Sequence, residues 1–186
     1  MIFQTRLRDL LVERSVRLGT FTLASGAHSD YYVDARRTTM SAEGQFLVGL
    51  VALEAIRATG LLPTHVGGLT MGADPIAYAI AHRSYLEETP LDAFSVRKHT
   101  KEHGTGQRIE GGLPEGARCL MIEDSMTTGG STMKAVDAVV EHGAEVVGVL
   151  TLVDRSEDAT ALFESRGLPL VSLFRGADLL EAAKAR

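Results

Sequence analysis

Apolar and polar positions along this chain follow two periods in turn, and the changes between them mark out its elements. Residues 3–17 carry Phe3, Leu7, Leu10, Leu11 and Val16 on one helical stripe, with Gly19 as the stop. Over 20–34 the helical period is lost. β-branched and aromatic residues there flank a turn rich in Ser, Gly and Asp, which predicts a hairpin able to cap the mouth of a pocket. Helical spacing returns over 41–58 through Phe46, Leu47, Leu50 and Leu53, with Ser41 as N-cap, Glu43 in the first turn, and Gly60 and Pro63 past the end.

Five apolar runs then read as strands, at 65–69, 91–96, 119–122, 146–153 and 170–174. A helix follows the third through Met133, Val136, Val139 and Val140, and another closes the chain over 178–185. The uninterrupted run Val146–Val153 is the pattern of a strand covered on both faces of a sheet. Strands alternating with helices predict an α/β fold with a mostly parallel central sheet flanked by helices.

Composition narrows the class. The 186 residues, 45% of them apolar, suit one domain over 1–186, with no linker, repeat or low-complexity tract. A net charge of -5 argues against a general nucleic-acid binder. The one cysteine, Cys119, falls inside a predicted strand; it reads as a core residue, rules out a disulfide within the chain, and fits a reducing cytoplasm. The N-terminus has no secretory pattern, and no apolar run approaches the roughly 20 residues a bilayer requires.

The densest chemistry lies in Leu120–Thr132. A buried-strand run ends in two adjacent acids, Glu123 and Asp124, and then in Ser125, Met126, Thr127, Thr128, Gly129, Gly130 and Ser131 before the next helix. Hydroxyls and backbone N–H groups at a helix N-terminus favour a phosphate. Thr70–Pro75, after the strand at 65–69, is a second candidate phosphate loop or an ordinary strand-to-helix turn. Residues 97–108 hold four Lys/Arg and two His with almost no apolar group, so they form either a solvated charged turn or a loop that closes over a polyanion. Asp154 and Arg155 end a central strand, where open α/β sheets bind ligands. By position alone Arg155 is either an anion binder or half of a strand-end salt bridge.

Several chemistries are excluded. Gly129-Gly130-Ser131 lacks the lysine of a Walker loop, Ile109 stands where a dinucleotide fingerprint starting at Gly104 needs its third glycine, and there is neither metal-ligand Cys/His spacing nor a Gly-x-Ser-x-Gly elbow. What remains is a carboxylate pair beside a phosphate cradle. Two acids can accept hydrogen bonds from neighbouring sugar hydroxyls while the loop holds a phosphate, which together measure out a ribose 5-phosphate.

Ile122–Ser131 resembles the phosphoribosyl pyrophosphate (PRPP) signature of type I phosphoribosyltransferases. Within that family, Phe21–Gly26 with Ser29–Tyr32 is similar to the N-terminal hood of orotate phosphoribosyltransferases. Arg97-Lys98-x-x-Lys101-x-His103-Gly104 is similar to their flexible catalytic loop, and Arg155 to their orotate-binding arginine. The resemblance implies the type I phosphoribosyltransferase fold, with a hood near 18–36 and a catalytic loop over 97–108. It implies transfer of ribose 5-phosphate from PRPP to orotate in pyrimidine biosynthesis, giving orotidine 5'-monophosphate and pyrophosphate.

It further implies PRPP contacts from Arg97, Lys98, Lys101, His103 and Glu123 to Ser131, orotate contacts from Thr127 and Arg155, and catalytic roles for Lys101, His103 and Asp124. The cofactor implied is Mg2+, carried mainly by PRPP oxygens, and the assembly a homodimer in which Lys98 reaches the partner's site. Two positions depart from the pattern: Ala24 and Met71 stand where relatives often carry lysine, so PRPP contact is not expected at either.

Overall fold

The computed structural model describes residues 2–22, 28–99, 108–156 and 158–186. A six-stranded sheet forms its centre. Strands β3 (His65–Leu69), β4 (Asp92–Val96), β5 (Ile109–Glu110), β6 (Arg118–Met126), β7 (Glu145–Asp154) and β8 (Leu170–Arg175) lie in the order β5-β4-β3-β6-β7-β8. All neighbours are parallel except β4 and β5. The chain leaves β3 for β4 through helix α4 (Asp74–Leu86), then returns to the other side of β3 as β6. This reversal opens a crevice at the carboxyl ends of β3 and β6, where such sheets bind ligands.

Along β6 successive side chains enter opposite faces. Leu120 and Ile122 join the cluster formed with α1 (Ile2–Arg14), α3 (Ala42–Thr59) and α4, while Cys119 and Met121 join the one under α5 (Gly130–Glu141) and α6 (Ala159–Glu164). Both faces are therefore covered, as the apolar run in β7 predicts. Burial pushes the Cys119 thiol up to about 12, which makes it an inert core group.

Three boundaries differ from the expectation. The first helix stops at Arg14, and Val16 and Gly19 belong to strand β1 (Val16–Thr22), paired antiparallel with β2 (His28–Val33). Ser15 makes the break: its carbonyl accepts from Asp34 N–H at 3.0 Å and its hydroxyl meets that of Thr38 at 2.7 Å, long-range bonds invisible to local periodicity. Second, a short helix α2 (Arg36–Thr39) precedes α3. Third, β6 continues through both acids to Met126, because its pairing with β7 persists to Asp154. Ser41 does cap α3, accepting from Gly44 N–H at 3.1 Å. Phe3, Phe46 and Val140 are exposed rather than core; the first two meet edge-on, with ring centroids 6.0 Å apart. Helix α7 (Gly176–Lys184) closes the chain against α1 and β8. No described helix is long and apolar enough to cross a membrane.

Candidate active site

Glu123 and Asp124 sit near the carboxyl end of β6, and because neighbouring strand residues face opposite ways, the two acids diverge. Glu123 turns toward the start of α5, where its Oε2 accepts from the hydroxyls of Thr132 and, at 3.5 Å, Ser131. Burial raises its carboxyl above the usual range; the Thr132 hydrogen bond opposes that rise and the neighbouring Asp124 charge adds to it. Asp124 accepts from the Ser125 N–H at 2.8 Å and faces Gly72, in the turn after β3. A Cβ on Gly72 would stand 2.6 Å from Asp124 Oδ1, so only glycine lets the turn approach the carboxylate this closely.

Thr127 and Thr128 bridge to Gly129, which caps α5 with φ of 76°. A side chain there would strike the Phe163 ring at 2.8 Å, so both backbone and space require glycine. Thr128, Gly130 and Ser131 are exposed, and the first-turn amides of α5 make an anion cradle opening on the crevice. Met126 is 1% exposed and packs in the core, so that position can offer a ligand only its backbone.

Arg155 follows β7 and is fastened to this loop: its N–H donates to Met126 O at 2.9 Å, and Ser156 Oγ donates to Thr127 O at 2.9 Å. Its guanidinium lies 5.0 Å from the Tyr31 ring centre, with Nη2 donating to Tyr31 O at 3.3 Å and Ser29 Oγ at 3.4 Å. Nε is buried without a hydrogen-bond partner. An orphaned buried donor is costly, and a ligand acceptor would satisfy it. Strand β2 thus packs against Arg155 through Ser29 and Tyr31.

Beyond β3, Asp74 ties the turn down. Its carboxylate accepts from Thr70 Oγ1 and from Ser95 Oγ at 2.8 Å, and Tyr78 OH meets Ser95 Oγ at 3.1 Å. These groups border a cavity of about 530 Å3 shared with Arg97 and Lys98. Arg97 pairs with Glu110 at 3.3 Å. Of the expected catalytic loop, Thr100–Gln107 lies outside the described residues, and Lys101 and His103 with it; Ala24 of the hood also lies outside them.

The described part of the candidate site is therefore gathered at the carboxyl ends of four adjacent strands, β4, β3, β6 and β7. Ser156 escaped the sequence reading, and Thr132 and Asp74 lay inside stretches singled out there without a role of their own. Each acts by holding another residue, and a lone hydroxyl or acid in a helix or loop carries no signal of that.

A family model described as the phosphoribosyl transferase domain matches residues 46–162. The orotate phosphoribosyltransferase of Rhodopseudomonas palustris (strain TIE-1) is 45% identical over 181 residues, 95% of this chain and 96% of the relative. That of Aquifex aeolicus is 43% identical, covering 97% and 99% of the two chains. The crystal structure of Mycobacterium tuberculosis orotate phosphoribosyltransferase in complex with PRPP superposes with a TM-score of 0.79 at 40% identity, over 95% of this chain and 98% of the other. The chain belongs to the orotate phosphoribosyltransferase family.

Proposed function

We propose that this chain, acting as a single domain, transfers ribose 5-phosphate from PRPP to orotate, giving orotidine 5'-monophosphate and pyrophosphate for UMP synthesis. The observation that carries the reading is the tie between Thr127 and Ser156, beside an Arg155 whose buried Nε has no partner. It supports a reading in which the loop before α5 would hold a phosphate and the neighbouring Arg155 a carboxylate. The α5 N-terminus with Thr127, Thr128, Gly129, Gly130 and Ser131 would hold the 5-phosphate, and Glu123 and Asp124 the ribose hydroxyls. Arg155 would take the orotate carboxylate, with Thr127 between base and phosphate.

Orotate is already acidic, so the demands on the protein are electrostatic: shielding a positively charged ribose and a departing pyrophosphate. Glu123 and Asp124 would offset the first. Arg97, Lys98, Lys101 and His103 would meet the second, with His103 able to supply a proton.

The acid pair at the end of β6 would meet the ribose oxygens, and Mg2+ would take most of its ligands from PRPP. When bound, Mg2+ would neutralise leaving-group charge. The exposed Phe46 and Tyr78 suit cover by a second copy in a homodimer, with Lys98 reaching across to the partner's site. No described membrane-spanning helix opposes a cytoplasmic setting.

Mixing the protein with PRPP, Mg2+ and orotate and following loss of orotate absorbance tests the assignment. Turnover with another base but not orotate would make it a transferase of different specificity, and PRPP binding without turnover a regulator. Restored activity in hybrids of K98A and D124N subunits would support the shared site; its absence would count against it.

A further inference from the structure

The turn after β3 reads Thr70-Met71-Gly72-Ala73 and offers no basic side chain, although through Gly72 it lies directly against Asp124. If PRPP occupies this crevice as proposed above, its pyrophosphate needs a fixed cation on that side. We propose that Arg36 is that cation, binding the pyrophosphate of PRPP through its two terminal nitrogens.

The placement follows from how α2 is held. Gln45 Nε2 donates to Thr39 O, at the end of α2, and to Pro75 O, in the first turn of α4, at 2.8 Å, so α2 packs beside the N-terminal turn of α4, which the turn after β3 leads into. Arg36 begins α2. Its Nε donates to Asp34 Oδ1 at 2.9 Å, and Asp34 is itself fixed by its N–H to Ser15 O at 3.0 Å. That contact fixes the plane of the guanidinium while leaving both Nη groups without a hydrogen-bond partner among the described residues. The side chain is 45% exposed.

The carboxylate of Asp124 acts on Arg36 as well, after the larger effect of Asp34, and this links the arginine to the acid that touches Gly72. A guanidinium anchored through Nε presents a planar fork suited to two phosphate oxygens. The alternative is a plain surface ion pair with Asp34, which would contribute little to stability or function. The adjacent Arg37 is exposed and makes no ion pair among the described residues, so it provides an internal control.

The test compares wild type, Arg36→Gln, Arg37→Gln and Arg36→Gln combined with Met71→Lys, which puts a cation on the turn itself. Arg36→Gln is expected to raise the KM for PRPP and the inhibition constant of pyrophosphate by about 10- to 100-fold, with the orotate KM and melting temperature nearly unchanged. Arg37→Gln should match wild type, and the added lysine should recover most of the loss. Unchanged PRPP and pyrophosphate constants in Arg36→Gln would overturn the proposal. So would a rise in both substrate KM values together with a lower melting temperature and no recovery by lysine. Calorimetric titration with pyrophosphate separates this inference from the wider reading: no orotate turnover by the wild type overturns that reading, whereas equal pyrophosphate affinity of wild type and Arg36→Gln overturns this one.

Discussion

The Thr132 hydroxyl donates to Glu123 Oε2 from the first turn of α5, so the N-terminus of that helix and one acid of the Glu123–Asp124 pair are a single mechanical unit. Thr132 is 1% exposed and cannot exchange this bond for water. Thr132→Val keeps the shape and removes the donor. A buried hydrogen bond to a charged group is worth about 1.5–3 kcal/mol, so kcat/KM for PRPP should fall roughly 10- to 100-fold. Steady-state kinetics measure this, and a near-normal value would show that Glu123 needs no such support.

The same carboxyl gives the free protein a pH dependence. Glu123 is pushed up to about 7, chiefly by burial, from an unfolded value of about 4.3. An acid raised on folding favours the protonated form. Its stability contribution is complete below the unfolded value and is lost as pH rises through about 7. Melting temperatures between about pH 5 and pH 8 should therefore decline more steeply for wild type than for Glu123→Gln. Ribose hydroxyls donating to the carboxylate would favour its charged form, so PRPP binding within that range should release protons, seen as a buffer-dependent heat in calorimetry.

Gly72→Ala places a methyl 2.6 Å from Asp124 Oδ1 and forces the turn or the acid to move. Displacements of this size at a reacting centre cost roughly 100-fold in rate. Turnover should drop by about that factor while the melting temperature changes by only a few degrees; retained turnover would mean that Asp124 tolerates displacement.

Arg155→Met removes the guanidinium while keeping bulk beside Tyr31. Orotate binding should weaken about 100-fold or more, while PRPP binding, followed by equilibrium titration, stays within a few-fold of wild type. Parallel loss of both ligands would mean that Arg155 holds the loop through its contacts rather than binding the base.

The pattern of apolar residues was enough to predict the helix over 41–58, five of the six strands of the sheet and the helix behind the acids, because burial on one or both faces writes a period into the chain; the two-residue β5 is too short to carry one. Glu123–Ser131 stood out as a candidate site for a related reason: its acids, hydroxyls and glycines form one contiguous stretch. Val16 and Gly19 were misjudged, and α2 went unseen, since the bonds from Ser15 to Asp34 and Thr38 cross about twenty residues and leave no local trace.

The strand order belongs to the tertiary structure alone. Only once β6 returns beside β3 do Gly72 and Asp124 touch, and only once β2 folds over β7 does Arg155 gain its Tyr31 cover and keep a buried donor unpaired. The sequence by itself determined which groups could recognise a sugar phosphate, because that depends on side-chain chemistry and local spacing. Which of them share one crevice, and which turn away to hold a neighbour as Glu123 holds Thr132, was decided by long-range packing, since it depends on contacts between segments far apart in the chain.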